Sequence, residues 1–172
     1  MLNLVNYLLT RWMIDRMPDV HIVDRYLATA APLGVKNDAK GLDYFVAKGT
    51  NEVAKRKLAA LKFPAGVSIE QSTNFPAYIA FVIGAAHNTK RLTEAQMISI
   101  CRRQKGFILL LGGPAESEQG ARIATASGEH VINTCGHFKL NESAVLVKEA
   151  KVVLTHDTGL MHIAAAFRKP IV

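Results

Sequence analysis

The feature that most constrains the fold is the last stretch of the chain, residues 152–170. It opens with the apolar, β-branched run 152–154, which is typical of a strand buried on both faces of a sheet. The pattern changes at the Asp-Thr-Gly sequence of residues 157–159, and from Leu160 the apolar residues recur at helical spacing until Pro170. This order predicts a strand, a tight turn and a helix. The turn exposes backbone N–H groups at the positive end of a helix dipole, which favours binding of an anion such as phosphate.

Two earlier apolar runs, residues 77–83 and 107–111, predict strands of the same sheet. Both are continuously apolar, as central parallel strands are when helices cover both faces. Lys90 lies in the loop after the first run, where a cation suits a phosphate-bearing ligand, unless it is an ordinary exposed lysine. Glu116 follows the second run, where a carboxylate can accept hydrogen bonds from both ribose hydroxyls or cap the next helix. Glu118 is the second choice for the ribose role.

The whole pattern predicts an α/β fold, because strands and helices alternate at short intervals. We expect a Rossmann-like, mainly parallel sheet that is flanked by helices. The loop-like stretch 63–76, which is rich in Pro, Gly, Ser and Asn, is the best domain boundary. It divides the chain into residues 1–65, a linker at 66–76 and residues 77–172.

Smaller elements follow from local patterns. Helices are predicted over residues 2–16, 21–34 and 50–61, with a short strand at 42–46. The basic cluster of the 50–61 helix is expected to face solvent. A later helix is expected to begin near Asn141, with that residue as its N-cap.

Composition and charge indicate which classes of binding partner suit this chain. The net charge of +7 suits nucleotide phosphates, an acidic glycolipid or a membrane surface, and equally a solvated basic surface. No nucleic-acid-binding motif accompanies the charge, so nucleic acid is not expected as a partner. Cys101 and Cys135 lack a metal-type spacing, which indicates a reduced, cytosolic protein, with Cys101 in the core. No metal is expected without an Asp-x-Asp or His/Cys cluster, and no apolar run approaches the ~18 residues of a membrane span.

The last stretch also resembles a family signature. Asp157-Thr158-Gly159-x-x-His162, followed by three alanines and Pro170, is similar to the signature of glycosyltransferase family 9, the heptosyltransferases. The phrase Gly-Gly-Pro-x-Glu at residues 112–116 and the phrase at 21–27 resemble further parts of that family. The resemblance implies a GT-B fold, in which two Rossmann-like domains face each other across a cleft. Residues 77–172 would be the donor-binding domain, and residues 1–65 the end of the acceptor-side domain.

The resemblance also implies a site for a nucleotide-sugar donor. A lysine would contact the donor pyrophosphate, and a glutamate would bind the ribose. The residue before a helix would contact the adenine. The Asp-Thr-Gly turn and the histidine that follows it would contact the pyrophosphate and the sugar. The residues at the matching positions are Lys90, Glu116, Phe138, Asp157, Thr158, Gly159 and His162. Without the resemblance, Phe138 is a packing residue, Asp157 a helix cap and His162 a structural histidine.

The activity implied is transfer of heptose, or a related sugar, from an ADP-sugar to a lipopolysaccharide core acceptor with inversion. The helix N-terminus and Lys90 would stabilise the departing nucleoside diphosphate, and a carboxylate would act as general base. No cofactor is implied, and the enzyme would work in the cytoplasm at the inner membrane, with peripheral contact at most. The family's base lies near the start of its N-terminal domain, and no residue of this chain matches it.

The length suggests an incomplete enzyme. Because each Rossmann-like half of a GT-B protein takes ~150 residues, we expect a fragment or truncated product that binds donor but does not catalyse alone. Two alternatives stay open: a nucleotide-binding remnant without activity, and another GT-B enzyme that uses a UDP-sugar. Homo-oligomerisation also stays open, because an incomplete domain leaves a sheet edge to cover.

Overall fold

The computed structural model describes residues 4, 7, 11–13, 19–61, 63, 77–84 and 91–172. The chain divides into two compact units, residues 1–41 and 42–172. The predicted linker at 66–76 lies outside the described residues, so the sequence-based division into domains stays a prediction. Most of the predicted helix 2–16 lies outside them as well, although residues 4, 7, 11 and 12 are helical.

In the first unit, helix α1 runs from Ile22 to Ala30 and continues as a 3-10 turn over Ala31–Leu33. It begins after His21, whose imidazole accepts a hydrogen bond from the Val23 backbone N–H and so caps the helix. It stops at Gly34, whose φ of 80° is the left-handed conformation that commonly ends helices. The helix predicted over 21–34 is therefore confirmed.

The second unit alternates helices and strands around one parallel sheet. The sheet has four strands in the order β3-β2-β1-β4, and every neighbouring pair is parallel. The predicted α/β fold with helices flanking a parallel sheet is confirmed. The elements are α2 (Thr50–Ala59), β1 (Tyr78–Val82), α3 (Glu94–Arg103), β2 (Phe107–Leu111), α4 (Ser117–Ser127), β3 (Val131–Asn133), α5 (Leu140–Glu149), β4 (Val152–Thr155) and α6 (Gly159–Ala166).

Each face of the sheet has its own hydrophobic core, because alternate strand residues point to opposite faces. On one face, Tyr78, Ala80 and Val82 pack with residues of α2, α5 and α6. On the other, Phe81 packs with residues of α3 and α4, including the fully buried Cys101, as predicted for that thiol. Burial on both faces explains why β1 and β2 are continuously apolar in the sequence.

Two local predictions are wrong. Residues 42–46 form no strand, and this segment is held instead by the side chain of Tyr44. The Tyr44 hydroxyl donates to Asn141 Oδ1 at 2.6 Å, and its ring packs edge-on against Phe167. Asn141 is not the N-cap of α5 either; that position belongs to Lys139, and Asn141 lies in the first turn. Segment 42–46 thus contacts a residue 97 positions away instead of pairing with a strand, whereas α5 begins with a local contact, the Lys139 N–H donating to Glu142.

The order of the strands fixes where a ligand can enter. The chain runs from β1 outward to β3 and then crosses back to place β4 on the other side of β1. Such a switch point opens a crevice at the carboxyl ends of the two strands on either side of it. Among the described helices, none is both long and apolar enough to cross a membrane.

Candidate functional site

A cavity of about 780 Å³ opens at the carboxyl ends of the strands, around the switch point between β1 and β4. Its volume lies within the ~300–1,000 Å³ usual for small-molecule sites. The segments that follow each of the four strands contribute to its lining. Seven residues were predicted from the sequence to bind the donor, and one of them, Lys90, lies outside the described part of the chain. The other six all line the cavity: Glu116, Phe138, Asp157, Thr158, Gly159 and His162.

Glu116 is held in place by two partners, one for each carboxylate oxygen. Its Oε2 accepts the backbone N–H of Gly113 at 2.9 Å, and its Oε1 pairs with Arg91 at 3.3 Å. Gly84 makes room for the carboxylate, because a Cβ there would come within 3.2 Å of the Glu116 carboxyl carbon. The Glu116 carboxylate therefore caps the 3-10 turn Pro114–Glu116 through one of its two oxygens, Oε2. Glu118 is exposed and does not line the cavity.

The Asp-Thr-Gly turn presents the amino end of helix α6 to the cavity. Thr158 is the N-cap, and its hydroxyl accepts the Met161 N–H at 3.3 Å. Asp157 precedes the cap and is exposed, so the N-cap position that the sequence offered to it belongs to Thr158. Apart from its chain neighbours and its own helix, no heavy atom of the described residues lies within 4 Å of where a Cβ of Gly159 would be, which leaves the backbone accessible to a ligand. A helix N-terminus in this setting favours an anion.

Phe138 lies in the loop between β3 and α5 and also lines the cavity. It is half-buried and packs against the core on the face that α5 and α6 cover. The remainder of its ring contributes to the cavity wall beside Leu140 and Ser143. An aromatic ring with one packed side and one open side can support a flat ligand such as a nucleobase.

No three His, Cys, Asp or Glu side chains of the described residues are grouped closely enough to hold a metal ion. The two cysteines are buried as free thiols. Burial, with a smaller contribution from Glu116, raises the pKa of Cys135 to about 12. This thiol therefore stays protonated at neutral pH and serves as packing beside Glu116 and Gly112.

His156 is a residue of this region that the sequence reasoning missed. It is buried at the end of β4, and its Nε2 accepts the backbone N–H of Leu92 at 3.0 Å. Its Nδ1 is buried without a hydrogen-bond partner among the described atoms. The contact ties the turn before α6 to the residues that precede α3. A histidine directly after a buried strand was the available signal, but its partner is 64 residues away in the sequence.

Burial lowers the pKa of His156 below its ordinary value of 6.5, and the nearby Arg91 charge adds to this effect while the Gly84 carbonyl opposes it. The folded state therefore binds the proton more weakly than the unfolded state. The stability that the neutral imidazole contributes is complete above about pH 6.5 and is lost as the pH falls toward the lower folded pKa.

We expect His156→Gln to reduce the loss of stability on acidification. Urea unfolding of the parent and the variant between about pH 8 and about pH 5 would measure it, and the difference between the two free energies of unfolding should shrink below about pH 6.5. His137→Gln, at an exposed loop position, is the control. If the free energies of unfolding of the parent and His156→Gln change with pH in parallel, His156 does not cause the loss of stability on acidification.

Comparison with known proteins shows which family the chain belongs to. The sequence matches the profile of glycosyltransferase family 9 (heptosyltransferase) over residues 4–172. It is 26% identical over 159 residues to lipopolysaccharide heptosyltransferase 2 of Salmonella typhimurium, which covers 88% of this chain and 44% of that protein. It is 37% identical over 73 residues to lipooligosaccharide heptosyltransferase 2 of Haemophilus influenzae, covering 40% of this chain and 21% of that one. This chain thus spans less than half the length of these curated relatives.

Solved structures share the fold. A family 9 glycosyltransferase from Veillonella parvula superposes with a TM-score of 0.72 at 23% identity, over 92% of this chain and 44% of that chain. The E. coli heptosyltransferase WaaC, solved with ADP-2-deoxy-2-fluoro heptose, gives a TM-score of 0.60 at 24% identity, over 92% and 46% of the two chains. Since the family match extends over residues 4–172, this chain belongs to glycosyltransferase family 9, the heptosyltransferase family.

Proposed function

We propose that this chain forms the donor-binding part of a heptosyltransferase, which binds an ADP-heptose-type donor and transfers the sugar with inversion to a lipopolysaccharide core acceptor. The observation that carries the proposal is the convergence of separate sequence phrases on one cavity. Glu116, Phe138 and Asp157 each follow a different strand, yet all three line the crevice at the switch point. Rossmann-like sheets bind nucleotides at this position.

The relatives support the choice of nucleotide and sugar. The WaaC structures were solved with ADP and with a fluorinated ADP-heptose, and the curated relatives are heptosyltransferases. For this chain we therefore assign the adenine to Phe138 and the ribose hydroxyls to Glu116. The pyrophosphate would lie at the N-terminus of α6 with Lys90 as its cation, and Asp157 and His162 would face the sugar.

In the proposed reaction, an acceptor hydroxyl oxygen attacks the anomeric carbon of the heptose. The bond from that carbon to the phosphate oxygen breaks, and its electron pair leaves with ADP. The charge that develops on the phosphate meets the amino end of α6, which is oriented before the reaction starts, and Lys90 would add a positive charge. The hydroxyl proton passes to a carboxylate base, which we assign to the remainder of the complete enzyme because no residue here matches it.

Location and domain structure belong to the same proposal. We assign residues 77–172 to the donor domain, 66–76 to the linker and 1–65 to the end of the acceptor-side domain. The enzyme would act at the cytoplasmic face of the inner membrane without a metal cofactor, and its net charge of +7 suits an acidic glycolipid. Peripheral membrane contact and self-association remain predictions of the sequence.

Calorimetric titration of the purified chain with ADP and UDP tests the proposal. We expect saturable ADP binding and weaker UDP binding. With ADP-heptose, which carries the sugar that Asp157 would face, we expect Asp157→Ala to lose about tenfold in affinity, the usual effect of losing one hydrogen bond to a charged group. Glu129→Ala, which removes an exposed carboxylate before β3 at the opposite edge of the sheet, should bind as the parent does.

Three outcomes would change the conclusion. A folded chain that binds neither nucleotide would overturn the proposed site. Tighter binding of UDP than ADP would favour the alternative of a UDP-sugar enzyme. ADP binding without sugar transfer by the chain joined to the rest of its enzyme would leave a nucleotide-binding protein without turnover.

A further inference from the structure

An ion pair joins helix α2 to helix α5 beside Phe138, one of the residues that line the cavity. Lys57 Nζ lies 2.6 Å from Glu142 Oε2, and the exposed fractions of the two side chains are 36% and 10%. Burial opposes ionisation of Glu142, yet hydrogen bonds from Lys57 and from the Lys139 backbone lower the pKa of its carboxyl. The pair is therefore charged at neutral pH. The sequence had suggested that the basic cluster of this helix faces solvent, which is wrong for Lys57.

The two charged groups also hold the backbone on both sides of Phe138. Lys57 Nζ donates to the carbonyl of His137 at 3.3 Å, and Glu142 Oε2 accepts the N–H of Lys139 at 2.8 Å. The Lys57 ammonium lies 5.9 Å from the centroid of the Phe138 ring. The residue before and the residue after Phe138 are thus each bonded to one member of the same ion pair, and the ring between them contributes to the cavity wall.

We propose that Lys57 is a positioning residue for the nucleobase: together with Glu142 it fixes the loop that presents Phe138 to the donor. The inference rests on the proposed function, because it assumes that Phe138 supports the base. Its physical basis is preorganisation, since a loop ordered during folding does not have to be ordered when the ligand binds. The residue acts through Phe138 and need not touch the donor itself.

This inference extends the site beyond residues 77–172. Helix α2 belongs to the part of the sequence that we assign to the acceptor-side domain, yet Leu58 next to Lys57 is fully buried in the core shared with β1, α5 and α6. Burial of Leu58 fixes the helix, and the helix then directs Lys57 toward the loop. A nucleotide-binding half cut at residue 77 would lack this support for the loop of Phe138.

The test compares ADP with inorganic pyrophosphate, which lacks the base, in the parent chain and in Lys57→Met. Methionine keeps the length of the side chain but removes the charge and the hydrogen-bond donor. We expect the dissociation constant for ADP to rise about tenfold in the variant, because the loop must be ordered on binding, while that for pyrophosphate stays unchanged. A general loss of folding would weaken both ligands together.

Two further variants make the comparison sharp. Arg56→Met removes one positive charge from the exposed face of the same helix and should bind both ligands as the parent does. Lys57→Gln keeps an N–H donor for one of the two acceptors and should show an intermediate loss for ADP. If Lys57→Met does not fold, Lys57→Gln carries the same comparison.

The outcomes separate this inference from the function on which it rests. Failure of the folded parent to bind ADP would overturn the proposed function and the inference with it. Normal ADP binding by the parent together with unchanged binding by Lys57→Met would overturn the inference alone. Equal loss of affinity for ADP and for pyrophosphate in the folded variant would also overturn it, because the effect would then not depend on the presence of the nucleobase.

Discussion

Replacing Glu116 by alanine is expected to weaken ADP binding about a hundredfold, the effect of losing two hydrogen bonds to a charged group. The carboxylate lines the cavity, and Gly113 and Arg91 already orient it, so a ribose would find it in place. Orientation before binding makes each bond to the ribose more favourable, because less side-chain freedom is lost. Calorimetric titration with ADP measures the change.

Two controls distinguish ribose recognition from damage to the fold. Glu118→Ala removes an exposed carboxylate from the first turn of α4 and should leave ADP affinity unchanged. The parent should bind 2′-deoxy-ADP more weakly than ADP, and in Glu116→Ala this difference should vanish, since coupled groups do not contribute additively. If Glu116→Ala still prefers ADP over 2′-deoxy-ADP by the same factor, the carboxylate does not bind the 2′-hydroxyl.

Gly120→Ala is expected to lower the free energy of unfolding by about 3 kcal/mol, because the extra methyl overpacks the contact between α4 and β3. The new Cβ would overlap the Asn133 carboxamide, coming within 2.9 Å of its Cγ and 3.1 Å of Cys135 Sγ. Asn133 cannot move freely, since its Nδ2 donates to the Ser117 carbonyl and its Oδ1 accepts the Cys135 N–H. Urea unfolding measures the loss.

The matched control for this substitution is Gly106→Ala. Apart from its two chain neighbours, no heavy atom in the described part of the chain lies within 4 Å of where a Cβ of Gly106 would be, so we expect a change within about 0.5 kcal/mol. Alanine favours a helix over glycine by about 1 kcal/mol, which works against the predicted loss at Gly120. A Gly120→Ala variant as stable as Gly106→Ala would mean that β3 and α4 can separate without cost.

The resemblance to the family found the residues of the cavity, and the structure explains why short phrases were enough. Glu116 and Asp157 each lie in a strand–turn–helix unit, and such a unit is specified by residues close together in the sequence. The carboxyl ends of parallel strands meet at one edge of the sheet, so residues just after each strand converge once the sheet forms. Phe138, Thr158, Gly159 and His162 follow the same rule.

Residues held by distant partners could not be found in this way. Lys57 resembled the other cations of a solvent-exposed helix, and only its approach to Glu142, 85 residues later, gives it a role. His156 resembled an ordinary residue at the end of a strand until the Leu92 N–H was located next to it. The strand predicted at 42–46 failed for the related reason that a strand needs a partner, and Tyr44 contacts Asn141 and Phe167 instead.

The sequence by itself determined the α/β class, the strand–turn–helix units and the residues at the ends of the strands, because apolar periodicity, turn residues and motif spacing are local properties. The tertiary structure decided that Glu116 pairs with Arg91, that His156 accepts the Leu92 N–H, and that Lys57 reaches the loop of Phe138. These contacts depend on how the helices pack against the two faces of the sheet. Packing brings together residues whose separation along the chain carries no signal of their proximity.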